Sequence, residues 1–276
     1  MSKRRVGIVG FGHLGQFLAT NLQENPNFEL VFVWNRNPEA LIGKIPSSLI
    51  LRNLENLNTR KPDLIVEVAH PYISSKYGEF FLQQADYLMG SPTALADPEV
   101  EIKLREAANG NHGLYVPSGA FWGGEDIWRM ADRNTLRGLK VTMTKCPQSF
   151  KLEGYLKKIN DDVESEAITL YNGPVRDLCP LAPNNVNTMA AAAIAGYTLG
   201  FDGVIGCLVS DPNLRNFHVV EIEVTGLKSS NDENFTVHTI RKNPATLGHV
   251  TGEATFAAFV SSVISAHSKG PGIHLC

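Results

Sequence analysis

A glycine turn near the start of the chain constrains the fold more than any other stretch. Val6–Val9 is an apolar run too short for a helix, and it leads through the turn into Gln16–Leu22, where apolar residues recur at helical spacing. A strand–turn–helix unit with this glycine spacing can bind a diphosphate at the first turn of its helix. We therefore predict that a dinucleotide binds at Gly10, Phe11, Gly12, His13, Leu14 and Gly15. The alternative is a glycine turn that binds nothing.

A second apolar run, Leu30–Trp34, ends at Asn35 and Arg36, about twenty residues beyond the last glycine of the turn. An acidic residue at this place would bind the ribose 2′-hydroxyl of NAD. This chain has an amide followed by a guanidinium, which can hold two oxygens of a 2′-phosphate. The sequence therefore favours NADP, or both NADP and NAD, with Asn35 and Arg36 at the ribose.

Strands and helices alternate through the rest of the first half, which indicates a parallel sheet. The predicted elements are strands at 63–69, 87–89 and 114–116 and helices at 75–84 and 98–108. Ligands of such sheets bind beyond the carboxyl ends of the strands, so we place Ala69 and His70 beside the cofactor. A loop histidine that precedes a proline is the competing interpretation of His70.

The second half of the chain has a different pattern. Gly138–Cys146 alternates apolar and polar residues, as a half-buried strand does. Further strands are predicted at 167–171, 204–209, 217–224 and 235–240. Strands joined by short turns indicate a mixed or antiparallel sheet with helices on one face. We predict a helix at 187–199 capped by Gly200, an amphipathic segment at 246–266 and an extended tail.

These patterns predict an α/β protein with a Rossmann-type doubly wound sheet and a second, smaller α/β domain with a mixed sheet. The 276 residues, 43% of them hydrophobic, are enough for two ordinary domains. The predicted boundaries are 1–117 for the dinucleotide-binding domain, 118–242 for a substrate and dimerisation domain, and 243–276 for a helix and tail that pack back on the first domain.

Composition argues against several kinds of partner. A net charge of −3 gives no reason to expect nucleic acid, and no apolar segment has the length of a membrane span or the form of a signal peptide. The four cysteines are scattered without metal-ligand spacing, which indicates free thiols in a reducing compartment. We expect a cytoplasmic protein without a metal that acts on a small molecule.

Short motifs follow one another along the chain, namely Gly10–Gly15, Pro117–Ala120, Pro183–Asn187, Ser210–Pro212, Phe217–Val220 and Asn243–Thr246. Together they resemble the L-aspartate dehydrogenase family, and especially its animal members. The resemblance implies a homodimer that deaminates L-aspartate oxidatively with NAD or NADP. It also implies cofactor contacts by Ala120 and Asn187, with Asn185 as the alternative to Asn187, and a catalytic role for His218. Around His70 and Ser91–Thr93 the chain departs from the microbial members, which leaves the substrate of this branch open.

Oxidation of an amino acid requires a base, and His218 suits that role. The substrate ammonium must lose a proton before a hydride can leave Cα, and water must lose one as it adds to the imine. Imidazole can accept both protons near neutral pH. Alternation places His218 on the apolar side of its strand, where a hydrogen-bonded core histidine is the competing interpretation. The cations considered for the substrate carboxylates are Lys145, Lys151 and Arg176.

The predicted function is NAD(P)-dependent oxidative deamination of L-aspartate to oxaloacetate and ammonia through iminoaspartate, with His218 as general base. Two other functions fit the same sequence. An imine reductase would use the reduced cofactor in the opposite direction. A non-catalytic sensor would bind NADP without turnover.

Overall fold

The structure of the chain is a computed structural model that describes residues 2–250, 252 and 254–276. Its strands are β1 (Arg4–Val9), β2 (Phe28–Trp34), β3 (Leu64–Glu67), β4 (Asp86–Met89), β5 (Gly113–Val116), β6 (Gly138–Lys145), β7 (Ile168–Pro174), β8 (Ile205–Ser210), β9 (Phe217–Lys228), β10 (Asn234–Pro244) and β11 (Gly272–Leu275). Its α-helices are α1 (His13–Glu24), α2 (Pro71–Gln84), α3 (Pro98–Ala108), α4 (Gly124–Asp132), α5 (Gly154–Asp161), α6 (Val175–Leu178), α7 (Asn187–Ala195), α8 (Gly200–Gly203) and α9 (Ala254–Ser265).

The first sheet is parallel, with the strand order β11-β5-β4-β3-β1-β2. A single parallel bridge between Val33 and Ile50 extends it beyond β2, at the place of one further strand in a doubly wound sheet. The strand order reverses between β1 and β3, so the carboxyl ends of these two strands form the crevice where such sheets bind ligands. The predicted Rossmann-type sheet is confirmed.

Both faces of the first sheet are buried, which explains why its strands are continuous apolar runs. One face packs on α1 and α9, where Val6, Leu18, Phe259 and Val263 belong to the same apolar cluster. The other face packs on α2 and α3, and that core continues without a break into the second sheet.

The second sheet is mixed, with the order β10-β9-β6-β8-β7. Strands β6 and β8 are parallel, and the other neighbours are antiparallel. The predicted mixed sheet and the predicted alternation in β6 are both confirmed, since Leu139, Val141 and Met143 are buried between partly exposed residues. We call the side of the sheet that carries these residues the covered face. Helix α7 packs against it and is buried on every side from Thr188 to Ala195.

Two helices begin or end elsewhere than predicted. Helix α2 begins at Pro71, earlier than the predicted start, because His70 caps it: His70 Nδ1 accepts the N–H of Tyr72 at 3.2 Å. Helix α7 ends at Ala195, because Gly196 leaves the helical conformation with φ −86° and ψ 48°. The predicted cap of that helix, Gly200, instead begins the single turn of α8.

The segment predicted as one amphipathic helix at 246–266 is shorter in the structure. Its first residues form a turn, in which the N–H of His249 donates to the carbonyl of Thr246 at 3.0 Å. Thr251 and Glu253, within the predicted helix, lie outside the described residues. Helix α9 packs on the first sheet, and the rings of Phe17 and Phe256 meet edge to face with centroids 5.4 Å apart.

The extended tail adds an unexpected strand. β11 pairs in parallel with β5 and so completes the edge of the first sheet. The helices α4 and α5 were not predicted. None of the helices in the described part of the chain is long and apolar enough to cross a membrane.

Replacing Phe259 with alanine should lower the free energy of unfolding by about 3–5 kcal/mol, because the ring fills the space between α9 and the first sheet. Phe259 is 4% exposed, whereas Ile264 on the same helix is 46% exposed. Ile264→Ala is therefore the matched control, and it should change the free energy by less than about 0.5 kcal/mol. Urea denaturation followed by circular dichroism measures both, and equal effects would contradict the packing of α9.

Candidate functional site

A cleft lies between the carboxyl ends of the first sheet's strands and the end of the covered face of the second sheet. Its inner cavity is lined by residues that include Leu14, Gly90, Ala120, Lys145, Asn187, His218, Asn243 and Phe259. Its outer cavity is lined by residues that include Gly12, His13, Leu14, Ala69, Gly90, Lys151, Asn187 and His249. Leu14, Gly90 and Asn187 line both, so the two cavities adjoin each other.

The three glycines of the turn after β1 differ in what a side chain would meet. Gly10 has φ +113°, and a Cβ there would lie 2.7 Å from the carbonyl oxygen of Val68. A Cβ on Gly15 would collide with the carbonyl oxygen of Gly10, so α1 approaches β1 this closely only with glycine at that position. A Cβ on Gly12 would meet no atom within 4 Å, so the space above the turn is open to a ligand.

The N-terminus of α1 points its free N–H groups at that open space. No side chain of a described residue caps the helix, and the helix dipole attracts negative charge there. His13 is exposed, and its ring centroid lies 6.3 Å from that of His249 on the other side of the outer cavity. This arrangement fits the pyrophosphate of a dinucleotide. Phe11 is buried beneath the turn instead.

Asn35 and Arg36 follow β2 beside the same turn. The Oδ1 of Asn35 accepts the N–H of Phe11 at 3.3 Å, and its Nδ2 donates to the carbonyl of Asn37 at 2.9 Å. Arg36 is exposed, and within the described ranges its guanidinium forms no hydrogen bond or ion pair. Asn35 therefore supports the turn, while Arg36 is free to meet a phosphate on the ribose.

A buried carboxylate, not singled out from the sequence, joins the loops after β3 and β4. Glu67 Oε1 accepts the N–H groups of Ala69 at 2.6 Å and His70 at 2.8 Å. Both oxygens bind Ser91: Oε1 accepts its hydroxyl and Oε2 its N–H, each at 3.0 Å. The hydroxyl of Ser74 donates to Oε2 at 3.4 Å. Complete burial raises the pKa of Glu67 to about 7, although the hydrogen bonds oppose this.

Ala69 and His70 take their positions from Glu67 but face different surroundings. Ala69 is exposed and lines the outer cavity. His70 is exposed too, and its ring accepts the N–H of Tyr72 at the start of α2. A contact of His70 with the cofactor stays a prediction.

The turn that carries Ala120 connects the two sheets and is held from both sides. The N–H of Ser118 donates to the carbonyl of Cys276, just after β11, at 2.8 Å. From β10, Arg241 Nη1 donates to the carbonyl of Gly119 at 3.2 Å. Ala120 itself is partly buried and lines the inner cavity.

The two candidate asparagines near the start of α7 differ in their partners. Both amide atoms of Asn185 are occupied by the backbone of Lys151: Nδ2 donates to its carbonyl at 2.6 Å, and Oδ1 accepts its N–H at 3.3 Å. The Oδ1 of Asn187 is buried without a partner in the described part of the chain, and the residue lines both cavities. A buried acceptor without a partner is rare and costly. Asn187 thus fits a ligand that brings an N–H group, such as the carboxamide of a nicotinamide.

The covered face of the second sheet ends in four buried polar side chains, three of which line the inner cavity. We call Asn243, His218, Lys145 and Ser210 the polar row. The register pairs His218 with Asn243 and Lys145 with Ser210. The antiparallel register of β6 and β9 places Lys145 beside His218. One row deeper, the same face carries Val220, Met143 and Leu208, all buried.

Two members of the polar row are buried bases. His218 is 5% exposed, and its Nε2 has no hydrogen-bond partner among the described residues. Burial, together with the nearby charge of Lys145, lowers the pKa of His218 to about 4, so the imidazole is neutral and can accept a proton. Lys145 is 3% exposed, and its Nζ donates to the carbonyl of Val250 at 2.9 Å. Burial lowers the pKa of Lys145 to about 7.

The cleft collects many of the predicted site residues, though their roles remain predictions. Those that line it are Gly12, His13, Leu14, Ala69, Ala120, Asn187 and His218. Gly10 and Gly15 shape the turn from below. Of the cations considered for the substrate carboxylates, Arg176 is engaged elsewhere, because its Nε pairs with Asp202 at 2.6 Å and its Nη1 donates to the carbonyl of Ala96 at 2.6 Å.

Two residues of the site had weak signals in the sequence. Glu67 is an acid at the end of the apolar run Leu64–Val66, and a charge at that place could have marked it. Asn243 stands in a motif without an assigned role, and only strand pairing brings it to His218. Among the described residues, no group of His, Cys, Asp and Glu could hold a metal ion.

Two protein families match successive parts of the chain. Residues 10–117 match the family described as homoserine dehydrogenase, NAD binding domain. Residues 126–262 match the family described as aspartate dehydrogenase, C-terminal. The boundary between the two matches lies at the turn that carries Ala120.

Individual proteins are similar over most of the chain. An aspartate dehydrogenase domain-containing protein of Xenopus tropicalis is 52% identical over 279 residues, covering 99% of this chain and 98% of its own length. An L-aspartate dehydrogenase 2 of Bordetella bronchiseptica is 30% identical over 226 residues, covering 79% of this chain and 82% of its own. The crystal structure of aspartate dehydrogenase from Thermotoga maritima has the same fold, with a TM-score of 0.70 at 20% identity over 97% of this chain and 98% of that one.

Glu67→Gln should destabilise the protein, and the effect should depend on pH. A carboxyl group can accept the N–H of Ser91 in either protonation state, whereas an amide NH2 placed there cannot. The buried N–H that is left without an acceptor lowers the free energy of unfolding by about 1–3 kcal/mol. Because the folded pKa is raised from 4.5 to about 7, the folded protein holds this proton more tightly than the unfolded chain. The contribution of Glu67 to stability is therefore greatest below pH 4.5 and is lost as the pH rises to about 7.

The difference in unfolding free energy between wild type and Glu67→Gln should thus be larger at pH 5 than at pH 8. Urea denaturation at both pH values measures it. Glu166→Gln, at an exposed position, is the control and should have little effect at either pH. A difference for Glu67→Gln that does not change with pH would contradict the raised pKa.

Proposed function

We propose that this protein oxidises L-aspartate to oxaloacetate and ammonia, because the chain belongs to the L-aspartate dehydrogenase family of NAD(P)-dependent amino-acid dehydrogenases. The observation that carries the proposal is the position of His218. A neutral, buried imidazole, whose Nε2 has no partner in the part of the chain that the structure describes, lines the same cavity as Leu14 of the dinucleotide turn. A base is thereby present where an oxidised amino acid would lie.

Several residues of the cleft suit the cofactor. Gly12 and His13 would hold the pyrophosphate, Arg36 the ribose end, and Asn187 an N–H of the nicotinamide carboxamide. When bound, NAD(P) supplies the acceptor for the hydride that leaves Cα of the amino acid.

His218 carries the proton transfers in this proposal. Its imidazole accepts a proton from the substrate ammonium, so the nitrogen lone pair can form the C=N bond of iminoaspartate as the hydride leaves. The imidazole then releases this proton to solvent. It next accepts a proton from the water that adds to the imine carbon and passes it to the nitrogen of the resulting carbinolamine. The imidazole then accepts the proton of the carbinolamine hydroxyl, so the C=O bond of oxaloacetate forms as the C–N bond breaks and ammonia leaves.

The two alternatives differ in how much of the site they explain. A sensor that only binds a dinucleotide leaves the two buried bases of the polar row without a role. An imine reductase would use the same row, and it differs in the reaction it supports: it would oxidise the reduced cofactor with an imine and give no activity with amino acids in reverse.

His218→Ala should lower kcat for L-aspartate by roughly 10²- to 10⁴-fold, the usual contribution of a general base, and leave cofactor affinity unchanged. Cofactor reduction measured with a panel of amino acids tests both the substrate and the variant. His238→Ala is the matched control, since this histidine on β10 is 52% exposed and pairs with Glu221 outside the cleft. Tight cofactor binding without turnover of aspartate by the wild type would remove the assignment.

We further propose that Arg36 gives the protein a preference for NADP, or allows both cofactors. Arg36→Ala should raise the dissociation constant for NADP by roughly 10- to 100-fold, because one charge-assisted contact to the 2′-phosphate is lost. The dissociation constant for NAD should stay within about 2-fold, since NAD lacks that phosphate. Calorimetric titration of both cofactors measures this, and an equal loss for NAD and NADP would refute the assignment of Arg36 to the phosphate.

We also propose a homodimer in the cytoplasm. An uncovered surface beside β10 supports the dimer: Phe235 is 54% exposed and Val237 is 40% exposed, next to α4. The four cysteines are free, and three of them are buried, as suits a reducing compartment.

A further inference from the structure

We infer that Lys145 binds a carboxylate of the substrate and, by doing so, raises the basicity of His218. This inference rests on the proposed function, because it assigns the substrate-binding residue of the same site. The ligand class is a dicarboxylic acid, of which L-aspartate is one.

The surroundings of Lys145 lack the usual partner of a buried ammonium. Its Nζ donates to the carbonyl of Val250, and the ring of Phe150 lies 5.6 Å away. Within the described ranges, no carboxylate lies at ion-pair distance from it. The second lysine of the same strand, Lys140, lies on the other face and pairs with Glu223 at 3.2 Å. A buried ammonium whose N–H donors are not all paired destabilises the folded protein unless an anion binds it.

The rest of the cleft also suits an anion. No Asp or Glu is among the described residues that line the inner or the outer cavity. Among the described residues, the other titratable groups of the two cavities are all basic, namely His249 after β10, Lys151 before α5 and His13 on α1. Arg241 on β10, which donates to Asn243, adds a further cation beside them. A dianionic substrate would therefore enter a positive field, as a dicarboxylic amino acid requires.

The position of Lys145 couples substrate binding to the base. Lys145 and His218 are neighbours across β6 and β9, and the positive charge of Lys145 is one reason that the pKa of His218 is low. A carboxylate bound to the ammonium cancels this repulsion, so His218 gains proton affinity only when substrate is present. The same carboxylate stabilises the charged form of Lys145, whose pKa burial lowers to about 7. Binding near pH 8 should therefore take up a proton.

Calorimetric titration of succinate into the enzyme saturated with NADP tests this inference without turnover. Lys145→Met should weaken succinate binding by roughly 10- to 100-fold, since it removes one charge-assisted contact. Wild type at pH 8 should take up close to one proton per succinate, read from buffers of different ionisation enthalpy, and the variant should take up far less. Lys140→Met is the matched control, and it should leave both quantities unchanged.

The outcomes separate the possible roles of Lys145. If Lys145→Met binds NADP normally and succinate within 3-fold of wild type, the inference is wrong. If the variant loses thermal stability and NADP affinity together, Lys145→Gln, which keeps a donor to Val250, is titrated instead. Normal succinate binding and proton uptake by Lys145→Gln would leave Lys145 only a structural role and so overturn the inference. Lys145-dependent succinate binding without aspartate turnover by the wild type would overturn the proposed function alone.

Discussion

The register of three adjacent strands determines what this site can do. Antiparallel pairing of β6, β9 and β10 brings Lys145, His218 and Asn243 side by side at the last row of the covered face. Deeper rows of that face are apolar and packed against α7. The same packing that excludes water from the core therefore removes it from two basic groups, and this desolvation keeps the imidazole neutral. A shift of β9 by one residue would turn His218 to the opposite face.

Local features of the fold could be predicted from the sequence, because their causes lie within a few residues. The roles of Gly10 and Gly15 follow from turn and packing geometry that any strand–turn–helix unit shares. The alternation in β6 shows directly which face is covered. The end of α7 was misjudged because Gly200 resembles a helix cap, whereas the helix ends at Gly196, whose backbone leaves the helical conformation.

Features that depend on pairing between distant segments could not be predicted. Nothing near Glu67 in sequence indicates that Ser91 will meet both of its oxygens. The choice among three candidate cations likewise needed the tertiary structure, since only strand pairing shows that Lys145 lies beside His218 and that Arg176 is engaged by Asp202. The hydrogen bonds that Asn185 makes to Lys151 favour Asn187 as the cofactor contact, and no pattern in the sequence indicates these bonds.

The way in which the first sheet is completed has a consequence for how the polypeptide folds. Val6 and Leu88 share an apolar cluster with Val263, and β11 closes the edge of a sheet whose other strands precede residue 117. These contacts join segments at opposite ends of the chain, which slows folding because a long loop must close before they form. During synthesis on the ribosome, the nucleotide-binding half therefore emerges with one apolar face of its sheet exposed to solvent. This face stays exposed until α9 has been synthesised, and until then it is a surface that chaperones can bind.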